Sequence, residues 1–70
     1  MAQTDTDKLK ATIAGMRQDL AMLHSIPALN QREARMLLDE AALLLKGARA
    51  DSKVGEVTAI LHKARQQMQG

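Results

Sequence analysis

The sequence predicts an all-α protein, with an antiparallel helical hairpin followed by a third helix, and three observations support this class. Apolar residues recur at steps of three and four in three segments, which is the spacing of one helix face. The single proline lies between the first two segments, and glycine and small polar residues separate the second from the third. The three apolar stripes are Leu9, Ile13, Met16, Leu20 and Leu23; Ala34, Leu37, Ala41, Leu44 and Ala48; and Val54, Val57, Leu61, Ala64 and Met68.

The first helix has a start signal at the amino end of the chain. Thr4 or Thr6 can act as the N-cap, because a threonine hydroxyl accepts a hydrogen bond from a free backbone N–H of the first turn. Asp5 and Asp7 lie where negative charge is favourable, at the positive end of the helix dipole. We expect residues 1–5 to be disordered and the helix to begin at about residue 6.

The end of the first helix is set by Pro27. A proline disfavours helical geometry in the residue before it, so the helix is predicted to run to His24, a residue type that suits the negative end of the dipole. The loop that follows, 25–29, is short. Short connections join antiparallel neighbours, which predicts the hairpin.

The second helix is predicted to begin at Asn30. Glu33 follows three residues later, an arrangement similar to a capping box, with asparagine in place of serine or threonine. Leu29 precedes the cap and can pack against Ala34 as a hydrophobic staple.

The boundary between the second and third helices is predicted near residues 48–52. At about 100° per residue, the apolar stripes before and after this point face nearly opposite directions, so one straight helix could not bury both against one neighbour. Gly47 and Gly55 disfavour a helix interior, and Asp51 or Ser52 could cap a new helix. The alternative is one long C-terminal helix, since no proline interrupts residues 31–69.

Composition limits the ways in which this fold can be stabilised. The chain has 70 residues, with no cysteine and no aromatic residue, which allows one small domain with a thin core. Disulfides and thiolate metal sites are excluded, and aromatic side chains, which bury the most area, are absent. Since small scaffolds need additional stabilisation, we expect a homodimer or a dimeric bundle.

Catalysis and cofactor binding have little support in the sequence. His24 and His62 lack neighbours at metal-ligand spacing, and neither Ser25 nor Ser52 has a base and an orienting acid at a recognisable spacing. No glycine-rich phosphate loop is present. We therefore expect a protein that is not an enzyme and that holds neither a cofactor nor a metal ion.

The second helix carries two candidate contact surfaces. Alanines alternating with leucines let two helices approach closely, which predicts a seam within the chain or across a dimer axis, although alanine is also simply a good helix former. This seam comprises Ala34, Leu37, Ala41, Leu44 and Ala48. Met36 and Leu43 face away from it among charged residues that include Arg35 and Asp39. Such apolar residues indicate a partner-binding surface, unless they are ordinary scattered surface residues.

Basic residues provide an alternative contact surface. Lys10 and Arg17 lie seven residues apart on one flank of the first helix, while Lys46, Arg49 and Lys53 cluster at the junction of the second and third helices. The formal net charge is only +2, with both signs interspersed, which is weak support for nucleic-acid binding. A small DNA-binding transcriptional regulator that uses this junction is the alternative function.

The sequence favours a module that binds other proteins by helix packing. Its role would be that of a regulator, inhibitor or anti-activator, of the kind a phage or plasmid encodes, or of a chaperone that sequesters an amphipathic helix. No apolar run approaches the roughly 20 residues of a membrane span. The amino end lacks the basic start and apolar core of a secretory signal, so we expect a cytoplasmic protein that does not contact membranes.

Overall fold

The structure, a computed structural model, describes residues 4–69 and confirms an all-α fold of three packed helices. Helix α1 spans Asp5–Met22, α2 spans Ala28–Lys46 and α3 spans Val54–Met68. A short 3-10 turn, Ala50–Lys53, leads directly into α3. The contact between α2 and α3 is the most extensive of the contacts between helices.

The predicted break between the second and third helices is confirmed, and the alternative of one long helix is wrong. Helix α2 ends at Lys46, and Gly47 takes an extended backbone conformation, with φ −73° and ψ 161°. The chain then turns, with the Ala50 N–H donating to the Gly47 carbonyl at 3.2 Å. On one straight helix, the apolar stripes of the second and third segments would face opposite directions. The turn changes the direction of the chain, so both stripes can pack into one core.

The start of α1 follows the sequence prediction. The Thr4 hydroxyl accepts a hydrogen bond from the Asp7 backbone N–H at 3.1 Å, and Asp5 and Asp7 lie in the first turn. Thr6 has a different role, since its buried hydroxyl donates to Asp51 Oδ1 at 2.9 Å and ties α1 to the 3-10 turn. Of the five residues predicted to be disordered, 1–3 lie outside the described residues.

Both predicted boundaries of the hairpin loop are wrong by two residues. Helix α1 ends at Met22, so His24 lies outside it, and α2 begins at Ala28 with Pro27 as the N-cap. Pro27 has φ −58°, close to the helical value. Proline is tolerated at a helix start because the N–H that it lacks would be unpaired there in any case.

The predicted capping box and staple of α2 are also wrong. The Asn30 side chain lies within the first turn of α2 and donates to the Gln67 carbonyl of α3 at 3.4 Å. Leu29 is 68% exposed and therefore does not form a buried staple with Ala34. Asn30 thus joins two helices instead of capping its own.

Neither residue predicted to cap α3 does so. The N-cap position is Lys53, with φ −103° and ψ 2°, and it makes no side-chain cap bond. Side-chain capping needs an extended residue before the helix, and the 3-10 turn leaves none. Asp51 instead accepts from Thr6, and the Ser52 hydroxyl donates to the Arg49 carbonyl at 2.8 Å.

The core is built from all three helices and one loop residue. The stripes predicted for α1 and α3 are confirmed, with their central residues buried and their end residues half-buried. Ile26, in the loop between α1 and α2, is also buried, and the sequence pattern did not indicate it. The buried apolar residues are Ile13, Met16, Leu20, Ile26, Ala34, Leu38, Ala41, Leu45, Val57, Ile60, Leu61 and Ala64.

The buried face of α2 contains two alanines of the predicted seam, but it does not contain the leucines of that seam. Ala34 and Ala41 are fully buried, whereas Leu37 and Leu44 are only half-buried. Their sequence neighbours Leu38 and Leu45, about 100° further round the helix, take the buried positions. Ala48 lies beyond the end of α2 and is exposed, so it does not belong to the seam within this chain.

Two leucines on α2 provide a matched test of this buried face. Leu38 is fully buried and Leu43 is 70% exposed. We expect Leu38→Ala to lower the free energy of unfolding by about 2–5 kcal/mol, because it removes buried methyl groups and leaves a cavity. Leu43→Ala should change it by no more than about 0.5 kcal/mol. Urea denaturation followed by circular dichroism measures both, and equal losses would contradict the assignment.

Candidate protein-binding face

Three large apolar side chains form a stripe on the outer face of α2. Leu29, Met36 and Leu43 are 68%, 60% and 70% exposed, and they are spaced by seven residues. Residues seven apart differ by only about 20° around a helix, so the three share one face. We call them the outer stripe. The local pattern around Asn30 predicts a staple role for Leu29, whereas its seven-residue spacing to Met36 is the signal that identifies it as a member of the stripe.

The two edges of the outer stripe carry different charges. Helical geometry places Glu33 and Glu40 along the edge nearer α3. Arg32, Asp39 and Lys46 follow the edge nearer α1. All five side chains are exposed. The stripe is therefore apolar along its centre, acidic on one edge and mainly basic on the other.

An ion pair joins the basic edge of α2 to α1. Arg17 Nη2 lies 2.9 Å from Asp39 Oδ1, and the two side chains remain 45% and 61% exposed. The sequence predicts Asp39 on a partner surface and Arg17 on a separate basic one, and the structure brings the two side chains together. An exposed pair of this kind is worth about 0–1 kcal/mol, so it contributes little to the stability of the hairpin.

A shallow groove, the α1–α2 groove, runs between α1 and α2 and contains two hollows. The first, of about 280 Å³, contains the Arg17–Asp39 pair, and the second, of about 260 Å³, has a lysine from each helix at its rim. The first is lined by Arg17, Leu20, Ala21, Arg35, Leu38 and Asp39. The second is lined by Lys10, Ile13, Ala42, Leu45 and Lys46.

The outer stripe and the α1–α2 groove adjoin one another. A further hollow of about 330 Å³ is lined by Met36 of the stripe and by Arg35 and Asp39, which also line the groove. The predicted partner residues Arg35, Met36 and Asp39 are therefore brought together, and Leu43 lies two turns along the same face from Met36. Together the stripe and groove form one continuous apolar and charged face.

The basic residues predicted at the helix junction have different local surroundings in the structure. Lys46 lines a hollow together with Lys10 of α1. Lys53 pairs with Glu56 within the start of α3, with 3.5 Å between Nζ and Oε2. Arg49 is exposed in the segment after α2. Lys46 therefore belongs to the groove, whereas Lys53 is paired with Glu56.

Residues with catalytic or ligating side chains are dispersed. His24 and His62 are both exposed, in the hairpin loop and on α3. Within residues 4–69, no group of three or more histidine, aspartate or glutamate side chains is arranged to hold a metal ion. No helix in this part of the chain is long and apolar enough to cross a membrane.

Comparisons with protein-family models, with curated proteins and with solved structures found no match to this chain.

The energetic role of the Arg17–Asp39 pair can be measured with a double-mutant cycle. We expect Arg17→Ala and Asp39→Ala, alone and together, to give a coupling energy of about 0.2–1 kcal/mol, because both side chains are largely solvated. Added salt should reduce it. Urea denaturation of the four proteins provides the measurement. A coupling of several kcal/mol would show that the pair is a structural requirement of the hairpin.

Proposed function

We propose that this chain is a protein-binding helical module, without enzymatic activity, whose binding face is formed by α1 and α2. The observation that carries the proposal is the outer stripe, three exposed apolar side chains in register on the helix at the centre of the fold. Single exposed apolar residues are normal on a protein surface. A series at helical spacing is the pattern by which one helix recognises another.

The composition of the face suits contact with a helix. Met36 has a flexible, polarisable side chain that adapts to different partner surfaces. Charges along both edges can steer and orient an approaching partner, while the apolar centre provides burial. A chain that acts in this way serves as a regulator, an inhibitor, an anti-activator or a helix-sequestering chaperone, and we place that role in the cytoplasm.

The homodimer predicted from the sequence stays a proposal, and the structure suggests a different surface for it. The expected reason for dimerisation was a core too thin for one chain. Within residues 4–69, however, Ala34, Leu38, Ala41, Val57 and Ala64 are all fully buried without a second chain. A second copy would therefore bind to the outer stripe and not to the alanine seam. Self-association would then be one form of partner binding through the same face.

The alternative function, DNA binding through the basic junction, receives less support. Lys53 is paired with Glu56, and Lys46 lies beside an apolar hollow. A recognition helix should present unpaired basic or amide groups to the major groove at its amino end. The start of α3 instead carries an ion pair.

Substitution of the outer stripe tests the proposed function. We expect Met36→Ser combined with Leu43→Ser to reduce the capture of partner proteins at least tenfold, about 1.4 kcal/mol in binding free energy. Met22→Ser is the matched control, because Met22 is 76% exposed but belongs neither to the outer stripe nor to the residues that line the hollows. The measurement is quantitative mass spectrometry of the proteins retained by the tagged chain in native cell extract.

Thermal unfolding of the same variants separates binding from folding. Exposed substitutions usually change stability by no more than about 0.5 kcal/mol, so the melting temperatures should stay close to that of the unmodified chain. A large decrease for the double variant would show that the stripe belongs to the core. Unchanged melting together with unchanged capture would contradict the proposed function.

A further inference from the structure

Lys10 and Lys46 face one another across a position of the α1–α2 groove where opposite charges would be expected. In this antiparallel hairpin, Arg17 of α1 pairs with Asp39 of α2 at 2.9 Å. A step of seven residues back along α1 and seven forward along α2 leads to Lys10 and Lys46, which line the same hollow. The same hairpin register therefore places opposite charges together at Arg17 and Asp39, and like charges together seven residues further along.

No carboxylate of the described chain pairs with these two lysines. Within residues 4–69, the ion pairs closer than 4.0 Å are Arg17–Asp39 and Lys53–Glu56. Ala42 and Leu43 lie one helical turn before Lys46, and Asp7 lies one turn before Lys10 without forming an ion pair with it. A carboxylate from outside the chain would lower the repulsion between the lysines and form charge-assisted hydrogen bonds with them.

The floor of the groove favours a protein over a nucleic acid as the source of that carboxylate. Between the lysines lie Ile13, Ala42 and Leu45, which offer an apolar surface to a side chain. Phosphates would gain nothing from this apolar floor, whereas an apolar side chain of a protein partner would be buried on it. The chain also lacks the aromatic side chains on which single-stranded bases stack.

The spacing of the two hollows further defines the ligand. They are related by seven residues on both helices, from Ile13 to Leu20 and from Leu45 to Leu38. Seven residues of helix advance by about 10.5 Å, so a helix lying along the groove can place one apolar side chain in each hollow. Arg35, which lines the other hollow, provides another cation along the same path.

We propose that the α1–α2 groove binds an amphipathic helix of a partner protein that carries an acidic edge. Apolar residues seven apart enter the two hollows, one carboxylate lies between Lys10 and Lys46, and a second approaches Arg35. The proposal rests on the protein-binding function above and adds the chemistry of the partner, with the groove as the element that selects for acidic residues.

Three synthetic helical peptides test this selection. Each has about 18 residues, or five turns, with the same leucines at seven-residue spacing. The remaining edge positions are all glutamate, all glutamine or all lysine. Fluorescence anisotropy against the full chain should show the glutamate peptide binding at least tenfold more tightly than the glutamine peptide, with the lysine peptide weakest. Added salt should reduce the difference.

Charge variants of the chain identify the residues responsible. K10E/K46E should reverse the order, so that the lysine peptide binds most tightly. K10Q/K46Q should remove most of the preference for the glutamate peptide. This variant also replaces K10E/K46E if that protein misfolds, because a glutamate at the carboxyl end of α2 is unfavourable for the helix. K8E/K63E is the matched control, because it changes the net charge equally at two exposed lysines outside the groove. Circular dichroism confirms that each variant is folded.

Four results would overturn the proposal. The first is equal binding of the glutamate and glutamine peptides, or no binding of either. The second is an equal loss of preference in K8E/K63E, which would indicate overall charge instead of the groove. The third is tighter binding of a DNA duplex of about 20 bp that K10E/K46E abolishes, which would identify a nucleic-acid surface. The fourth is a dimer, seen by sedimentation, that K10E/K46E dissociates.

The variant with Met36→Ser and Leu43→Ser distinguishes failure of the acidic-partner proposal from failure of the protein-binding function. If the glutamate and glutamine peptides bind equally and Met36→Ser with Leu43→Ser weakens both, the protein-binding function stands and only the acidic partner is excluded. If that variant captures the same proteins from native extract as the unmodified chain, the proposed function itself fails, whatever the peptides show.

Discussion

The close packing of small aliphatic side chains around α2 is the constraint on which the rest of this structure depends. Without an aromatic residue, the chain cannot build a core from a few large side chains. Ala34, Ala41 and Ala64 are fully excluded from solvent, and Leu38 and Val57 are the largest side chains that are fully buried. Alanines at these positions let helix backbones approach closely, so that many small contacts replace a few large ones.

This packing also decides which surface stays available. Helix α2 lies against both other helices, and its buried arc is centred on Leu38 and Leu45, so the opposite side cannot contribute to the core. Leu29, Met36 and Leu43 are on that opposite side. Helix α3 packs most extensively on α2, and the groove between α1 and α2 is shallow and open. The candidate binding face thus follows from the way in which α1 and α3 both pack on α2.

The parts of the fold that could be predicted from the sequence are those that depend on local periodicity. The stripes of α1 and α3 are regular enough to assign from spacing alone, and the break after Lys46 follows from the opposed phases of two stripes. Both rest on the fixed angle between successive residues in a helix. The exposed Met36 and Leu43 could be identified for the same reason.

The parts that could not be predicted depend on contacts between distant residues. The heptad pattern of α2 assumed one neighbouring helix, whereas two neighbours rotate the buried face from Leu37 and Leu44 toward Leu38 and Leu45. Asn30 has the local signature of a cap, but its side chain reaches Gln67 of α3.

The candidate site was only partly visible for a similar reason. Lys10 and Lys46 were each noted as basic residues, but nothing in the sequence sets them opposite one another. Their juxtaposition depends on the register of the hairpin, and the loop between α1 and α2 fixes that register. The observed boundaries of this loop differ by two residues from the predicted ones. Local patterns therefore identified Met36 and Leu43 of the outer stripe, and only the packed hairpin revealed the groove beside it.

The most direct test of this account is the stability of a chain in which a central alanine is enlarged. Ala41→Leu inserts a larger side chain at a position with no exposure, and we expect the free energy of unfolding to fall by about 1–3 kcal/mol. Ala14→Leu, on the exposed side of α1, should leave it nearly unchanged. Urea denaturation of both variants measures the difference. An Ala41→Leu protein as stable as the control would contradict the claim that close packing at α2 determines the fold.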